Sequence, residues 1–102
     1  MDKVYYRDIK PYHTPRDLKY LKGPSCGILE LPHSILWNSM RSVDLDIPGG
    51  ILMAYQAILS EGTPEEQESL LNRSVLFQHW HEFMLPVRVR VLWETRFPSL
   101  KD

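Results

Sequence analysis

Residues 70–98, LLNRSVLFQHWHEFMLPVRVRVLWETRFP, decide the fold. The stretch holds two of the three tryptophans, Trp80 and Trp93, together with Phe77, Phe83 and Phe97. Leu76, Trp80 and Phe83 recur at i, i+4 and i+7, the spacing of one buried helix face, with Phe77 and Met84 extending it sideways. Leu85-Pro86 breaks that helix, and Pro86 is suited to opening another. The next run, Val87-Arg88-Val89-Arg90-Val91, alternates with period two as a strand would. Val89, Leu92/Trp93 and Arg96/Phe97 instead follow helical spacing, and Trp93-Glu94-Thr95-Arg96-Phe97 makes a poor half-buried strand. We therefore read two helices joined at Leu85-Pro86, the second ending at Phe97-Pro98.

The same stretch carries the most conspicuous polar cluster, His79-Trp80-His81-Glu82. On a helix, residues i and i+2 point to different sides, so the two imidazoles cannot share an ion. A helical zinc pair needs i, i+4. The spacing instead predicts His79 at the border of the core and His81 in solvent.

Working backwards, Thr63-Pro64-Glu65-Glu66 is the clearest local signal. Thr63 caps, Pro64 takes the first helical position, and Glu66 closes a capping box. The acidic run Glu65, Glu66 and Glu68 thus has a structural purpose beside the helix dipole. This helix runs to about Leu71, where Asn72 either recaps or lets it continue. Ile51, Ala54/Tyr55 and Ile58/Leu59 form the apolar stripe of a preceding helix that stops at Gly62. Asp46-Ile47-Pro48 resembles its cap-and-proline start. Gly49-Gly50 lacks the lysine of a Walker loop and the third glycine of a dinucleotide fingerprint, so close packing is the better reading.

Residues 26–37, CGILELPHSILW, are rich in Ile and Leu and contain Pro32. They read as one bent strand or two short ones, with Pro32 at an edge or bulge. Asn38 to Arg41 make a turn. Residues 42–46 return with Val43 and Leu45 on one face, which completes an antiparallel hairpin. Asp44 and Asp46 form an Asp-x-Asp pair of the type that holds Mg²⁺ in nucleotidyl transfer. That chemistry also needs an upstream Gly-Ser phosphate loop and a third carboxylate on a neighbouring strand, and neither is present. Thr14-Pro15 predicts a short helix through Leu18 and Leu21, stopped by Gly23-Pro24. Residues 1–13 have no helix cap and carry Tyr5, Tyr6 and Tyr12. They read as an extended arm or short edge strand, either projecting or folding back on residues 14–102.

The chain has 102 residues and a net charge of −1, which fits one domain and gives no global electrostatic case for nucleic acid or membrane. Charge is nevertheless segregated. Residues 1–22 carry Lys3, Arg7, Lys10, Arg16, Lys19 and Lys22, whereas residues 61–68 carry four Glu and no base. The single cysteine, Cys26, excludes an internal disulfide and a thiolate-rich zinc site, and suits a reducing cytoplasm. With no glycine elbow near it, Cys26 reads as a small hydrophobe rather than a nucleophile. No apolar run approaches the ~18–20 residues that cross a bilayer, and the N-terminus lacks a signal-peptide core.

The fold class expected is α+β: a small β-hairpin, with or without an N-terminal edge strand, on a bundle of four to five short helices. The function expected is non-catalytic protein interaction, with no cofactor and no metal. Tyrosine offers large contact area for few torsions. Tyr5, Tyr6, Arg7 and Tyr12, with Trp37 beside the hairpin turn, are therefore the expected contacts to a protein partner with an acidic surface. The alternative is a DNA-binding regulator using Arg88, Arg90 and Arg96, joined by Arg73, as a basic face near Trp93.

Tyr6-Arg7-Asp8-Ile9, Thr14-Pro15-x-Asp17-Leu18, Val43-Asp44-Leu45-Asp46, Leu70-Leu71-Asn72-Arg73 and Trp93-Glu94-x-Arg96-Phe97-Pro98 together span most of the chain. In this pattern it resembles short, uncharacterised actinobacterial proteins that are encoded beside nucleotidyltransferase-like toxins. The resemblance implies an antitoxin or accessory role and transfers no catalytic residue.

Overall fold

The computed structural model describes residues 12–35 and 41–101. Tyr5, Tyr6, Arg7, Trp37 and the expected edge strand lie outside them, as does most of the expected turn after Trp37. Strand β1 (Ile28–Glu30) pairs antiparallel with β2 (Ser42–Asp44), with Leu29 opposite Val43. Leu45 N–H to Gly27 O and Leu31 N–H to Arg41 O, each 2.8 Å, extend the ladder at both ends. Pro32 follows at once and cannot donate. The chain then turns as a 3-10 helix at His33–Ile35, so residues 33–35 do not continue as strand. Leu29, Val43 and Leu45 are buried, and Ile28 faces out.

The described residues form four α-helices, α1 (Gly50–Glu61), α2 (Pro64–Leu70), α3 (Arg73–His79) and α4 (Val87–Arg96), and α1 packs on the hairpin at β2. On α1, Ala54, Tyr55, Ile58 and Leu59 are buried along the expected stripe. The capping box on α2 is complete: Thr63 Oγ1 accepts from Glu66 N–H, and Glu66 Oε1 accepts from Thr63 N–H. Asn72 recaps the chain, its Oδ1 accepting from Val75 N–H to open α3.

Two other cap-and-proline signals do not start helices where they stand. After Thr14-Pro15 the backbone is committed to α2, because His13 O accepts from Gln67 Nε2 and Arg16 N–H donates to Glu68 Oε2. Only a 3-10 turn at Leu18–Tyr20 forms, capped by Asp17. At Asp46 the main-chain N–H turns back to Asp44 Oδ1. The helix begins later, at Gly49, whose φ of 83° suits glycine. Gly50 is needed for close approach: a Cβ there would lie 2.1 Å from Asp44 O.

The alternating valines form helix, not strand. Val89 and Trp93 are buried at i, i+4, while Val87 and Val91 sit on the opposite, exposed side. A strand would have put Val87, Val89 and Val91 on one face. A relay of rings joins α1 to α4 through Trp80 and Phe83, which lie in and just after the 3-10 turn that follows α3. Tyr55 stacks on Phe83 at 5.6 Å between centroids, and Phe83 meets Trp80 edge-on at 6.2 Å. Trp80 then packs on Trp93 at 6.1 Å, and Trp93 on Phe97 at 5.6 Å. Each such pair adds roughly 0.5–1.5 kcal/mol beyond its buried area. Met84 departs from the expected stripe. The chain becomes extended at Phe83 (ψ 136°), so Met84 projects and is 84% exposed. No helix among the described residues is long and apolar enough to cross a membrane.

Candidate functional site

Of the residues expected to bind a partner, Tyr12 is the one within the described chain. Its ring is half-buried against the core, and the Arg88 guanidinium lies 5.3 Å from its centroid. With His13 O accepting from Gln67 Nε2, residues 12 and 13 are docked on the helices.

The three α4 arginines do not make one face. Arg90 is half-buried and donates to Trp80 O, which also accepts from Phe83 N–H, and to Phe83 O, where the segment after α3 ends. It also lies 3.7 Å from Glu94, whose Oε2 accepts from Trp80 Nε1 at 2.9 Å. Arg90 is thereby part of the scaffold. Arg96 donates to Arg16 O at 3.0 Å and lies over the Phe97 ring at 5.7 Å. Arg88 is turned to Tyr12.

Arg96 does meet other cations. The 3-10 turn at Leu18–Tyr20, the first residue of α3 and the end of α4 enclose an open cleft of about 560 Å³. Its lining includes Lys19, Arg73 and Arg96 around Leu18, Phe97 and Ser99, with Asp17 as the one acid. Asp17 Oδ1 is occupied by Lys19 N–H at 3.0 Å. None of the three cations is ion-paired to a carboxylate among the described residues. Lys19 sits 5.4 Å from the Tyr20 ring centroid and Arg73 5.2 Å from that of Phe77. Aromatic contacts of this kind hold a cation without neutralising it.

The cleft wall is fixed by Arg16 and Glu68. Glu68 accepts from Arg16 N–H at 3.0 Å, Nε at 3.2 Å and Nη2 at 3.1 Å. The Arg16 hydrogen bonds hold the Glu68 carboxyl below its usual range, against the opposing effect of burial. The same bonds raise Arg16. This pair is saturated, so Arg16 positions the 18–20 turn instead of presenting charge to the cleft.

Other features are chemically bland. His79 Nδ1 lies 3.3 Å from Glu82 Oε1, and His79 borders the core while His81 is exposed, as spacing predicts. Cys26 is exposed, contrary to its reading as a small core hydrophobe. Asp44 is turned onto the neighbouring backbone, and no group of three metal-ligating side chains occurs among the described residues. A second groove of about 380 Å³ runs between the 33–35 turn and α1, lined by Ile35, Gln56, Ala57, Ser60, Glu61 and Met84.

Outside the cleft, Met84, Val87 and Val91 are 84%, 76% and 55% exposed on the flank where the chain enters and follows α4. Sequence reasoning found Arg73 and Arg96 but missed Lys19 and Phe97 as their companions. The excess of bases in residues 1–22 was the available signal, though it does not say which helix ends that segment meets. No family model, no curated protein and no solved structure matches the chain.

Proposed function

We propose that this chain is a non-catalytic protein-interaction module, an antitoxin-like or accessory subunit that binds a partner protein and blocks or modulates it. The observation that carries the reading is the apolar flank of α4. Val87 and Val91, one turn apart on the helix, stand in water although Val89 and Trp93 on the other side already fill the core, and Met84 shortly before the helix is exposed as well. Clustered apolar exposure of this kind is characteristic of binding surfaces, whereas single exposed residues are ordinary. Tyr12 and Arg88 adjoin this helix, where the tyrosine-rich segment containing Tyr5, Tyr6 and Arg7 joins the domain. Aromatic and arginine side chains of this sort supply most of the energy in protein interfaces.

The mechanism is steric. The apolar flank of α4 docks, and Tyr5, Tyr6 and Arg7 add aromatic and cationic contact area on the partner. The nucleic-acid alternative would need Arg88, Arg90 and Arg96 to act together. The internal hydrogen bonds of Arg90 and Arg96 weigh against that use.

The test is retention of a partner by the tagged chain in its native host, compared with a chain lacking residues 1–11 and with Val87→Ser/Val91→Ser. Both changes should lower retention while leaving the far-UV circular dichroism melt intact. Retention equal to wild type in both variants would refute the mechanism.

A further inference from the structure

We infer that the Lys19–Arg73–Arg96 cleft is the seat of an acidic peptide segment of the partner, an inference that rests on the interaction reading and adds the chemistry of what is recognised. Three cations from three separate elements converge on one depression of about 560 Å³, within the ordinary size range of ligand sites. They converge although the chain as a whole carries a net charge of −1. Like charges brought together repel, and against three cations the lining sets one carboxylate, Asp17, with no ion pair to any of them among the described residues. Glu68, outside the lining, is held by three bonds from Arg16. Asp17 serves the turn that carries Lys19. An incoming carboxylate therefore meets donors whose charge is not already spent.

The floor narrows the class of occupant. Phe97 and Pro98 line the cleft with the cations, Leu18 is buried beneath it, and Ser99 adds a hydroxyl. A peptide segment bearing Asp or Glu side chains offers both the carboxylates and the aliphatic stems that such a lining takes. Arg73 and Arg96 can each take a carboxylate through two N–H groups, while Lys19 contributes a point charge. Duplex nucleic acid fits less well. It requires a long cationic track, and the neighbouring α2 surface carries Glu65 and Glu66 at the start of the helix.

The experiment is fluorescence anisotropy of a labelled hexaglutamate peptide titrated with the full chain at low ionic strength. Comparison is with Lys19→Glu/Arg73→Glu and with Arg41→Glu, an exposed charge reversal on the hairpin. Arg96 is left alone because it also holds Arg16 O. Saturable binding that weakens with salt is expected, reduced roughly tenfold or more by the double reversal and less than about twofold by Arg41→Glu. Circular dichroism melts should overlay, which separates lost binding from lost folding.

Absence of binding to the wild-type chain would overturn the inference, and so would equal weakening by Arg41→Glu, which marks non-specific attraction. Tighter binding of a labelled 20-base-pair duplex, competing the peptide away, would reassign the cleft to nucleic acid (roughly that length suffices for a groove-binding module). Partner retention by the α4 and arm variants is read separately, so the cleft can fail while the interaction reading stands.

Discussion

Asn72 is the joint at which three parts of the fold are tied, and replacing it tests that joint quantitatively. Its Oδ1 caps α3 through Val75 N–H at 3.1 Å, and its Nδ2 donates to Gly23 O at 3.1 Å. Its main-chain N–H donates to the Tyr55 hydroxyl at 2.8 Å. The loop at Gly23 packs so tightly on this joint that a Cβ there would lie 2.1 Å from Leu70 O. Asn72→Ala removes both side-chain bonds and keeps the one to Tyr55. Loss of the cap costs about 1 kcal/mol, and loss of the second bond, which leaves Gly23 O without its donor, costs about 1 kcal/mol more. For a domain of this size each kcal/mol lowers Tm by roughly 4–8 °C, so the variant should melt roughly 8–16 °C below wild type. Asn72→Ser retains a capping oxygen but cannot reach Gly23, and should fall about halfway. Thermal and urea unfolding followed by far-UV circular dichroism measure both. If Asn72→Ala melts with wild type, or Asn72→Ser with Asn72→Ala, the division between cap and tether is wrong.

Other outcomes follow from packing and charge. Gly50→Ala should destabilise by roughly 1–3 kcal/mol through overpacking against Asp44 O, outweighing the gain of about 1 kcal/mol in helix propensity. Gly49→Ala meets no atom within 4 Å and should lose only the cost of its left-handed backbone, so urea midpoints must order Gly50→Ala below Gly49→Ala. The Glu68 carboxyl is held below its ordinary range by Arg16, so its contribution is complete above the unfolded carboxylate pKa and is lost as pH falls through the lower folded value. Glu68→Gln should therefore flatten the acid limb of a stability-versus-pH curve while leaving its alkaline limb unchanged. An acid limb identical to wild type would show that this carboxylate does not govern it.

Legibility of the fold varied with the range of the interactions. Thr14-Pro15, Asp46-Ile47-Pro48 and Thr63-Pro64 look alike as helix starts. Only Thr63 has Glu66 at the third helical position to return the bond, and only there does the helix begin in place. At the others the decisive bonds join residues far apart or reverse the chain, as with Arg16 N–H to Glu68 or Asp46 N–H to Asp44. The α1 stripe and the burial of Leu76 were readable because a helical face is a local property, whereas the helix expected to reach Leu85 ends at His79, and Trp80 and Phe83 are buried from a 3-10 turn and the extended residue after it. Pairing of β1 with β2 was readable because turn residues separate two short apolar runs. The scaffold role of Arg90 was not, since nothing in Val89-Arg90-Val91 reveals that the carbonyls of Trp80 and Phe83 lie within its reach. Likewise the cleft joins Lys19, Arg73 and Arg96 across most of the chain, and a charge count sees only that bases are plentiful near the start.

The central claim is that the chain works by binding another protein. It is tested most directly by native mass spectrometry of the tagged chain purified from its host at native level after nuclease digestion. A defined complex is expected, its mass exceeding that of the 12.0 kDa chain by one protein partner and its abundance falling when Val87 and Val91 are replaced by serine. A chain that emerges alone, or with a nucleic-acid partner that nuclease removes, would contradict it.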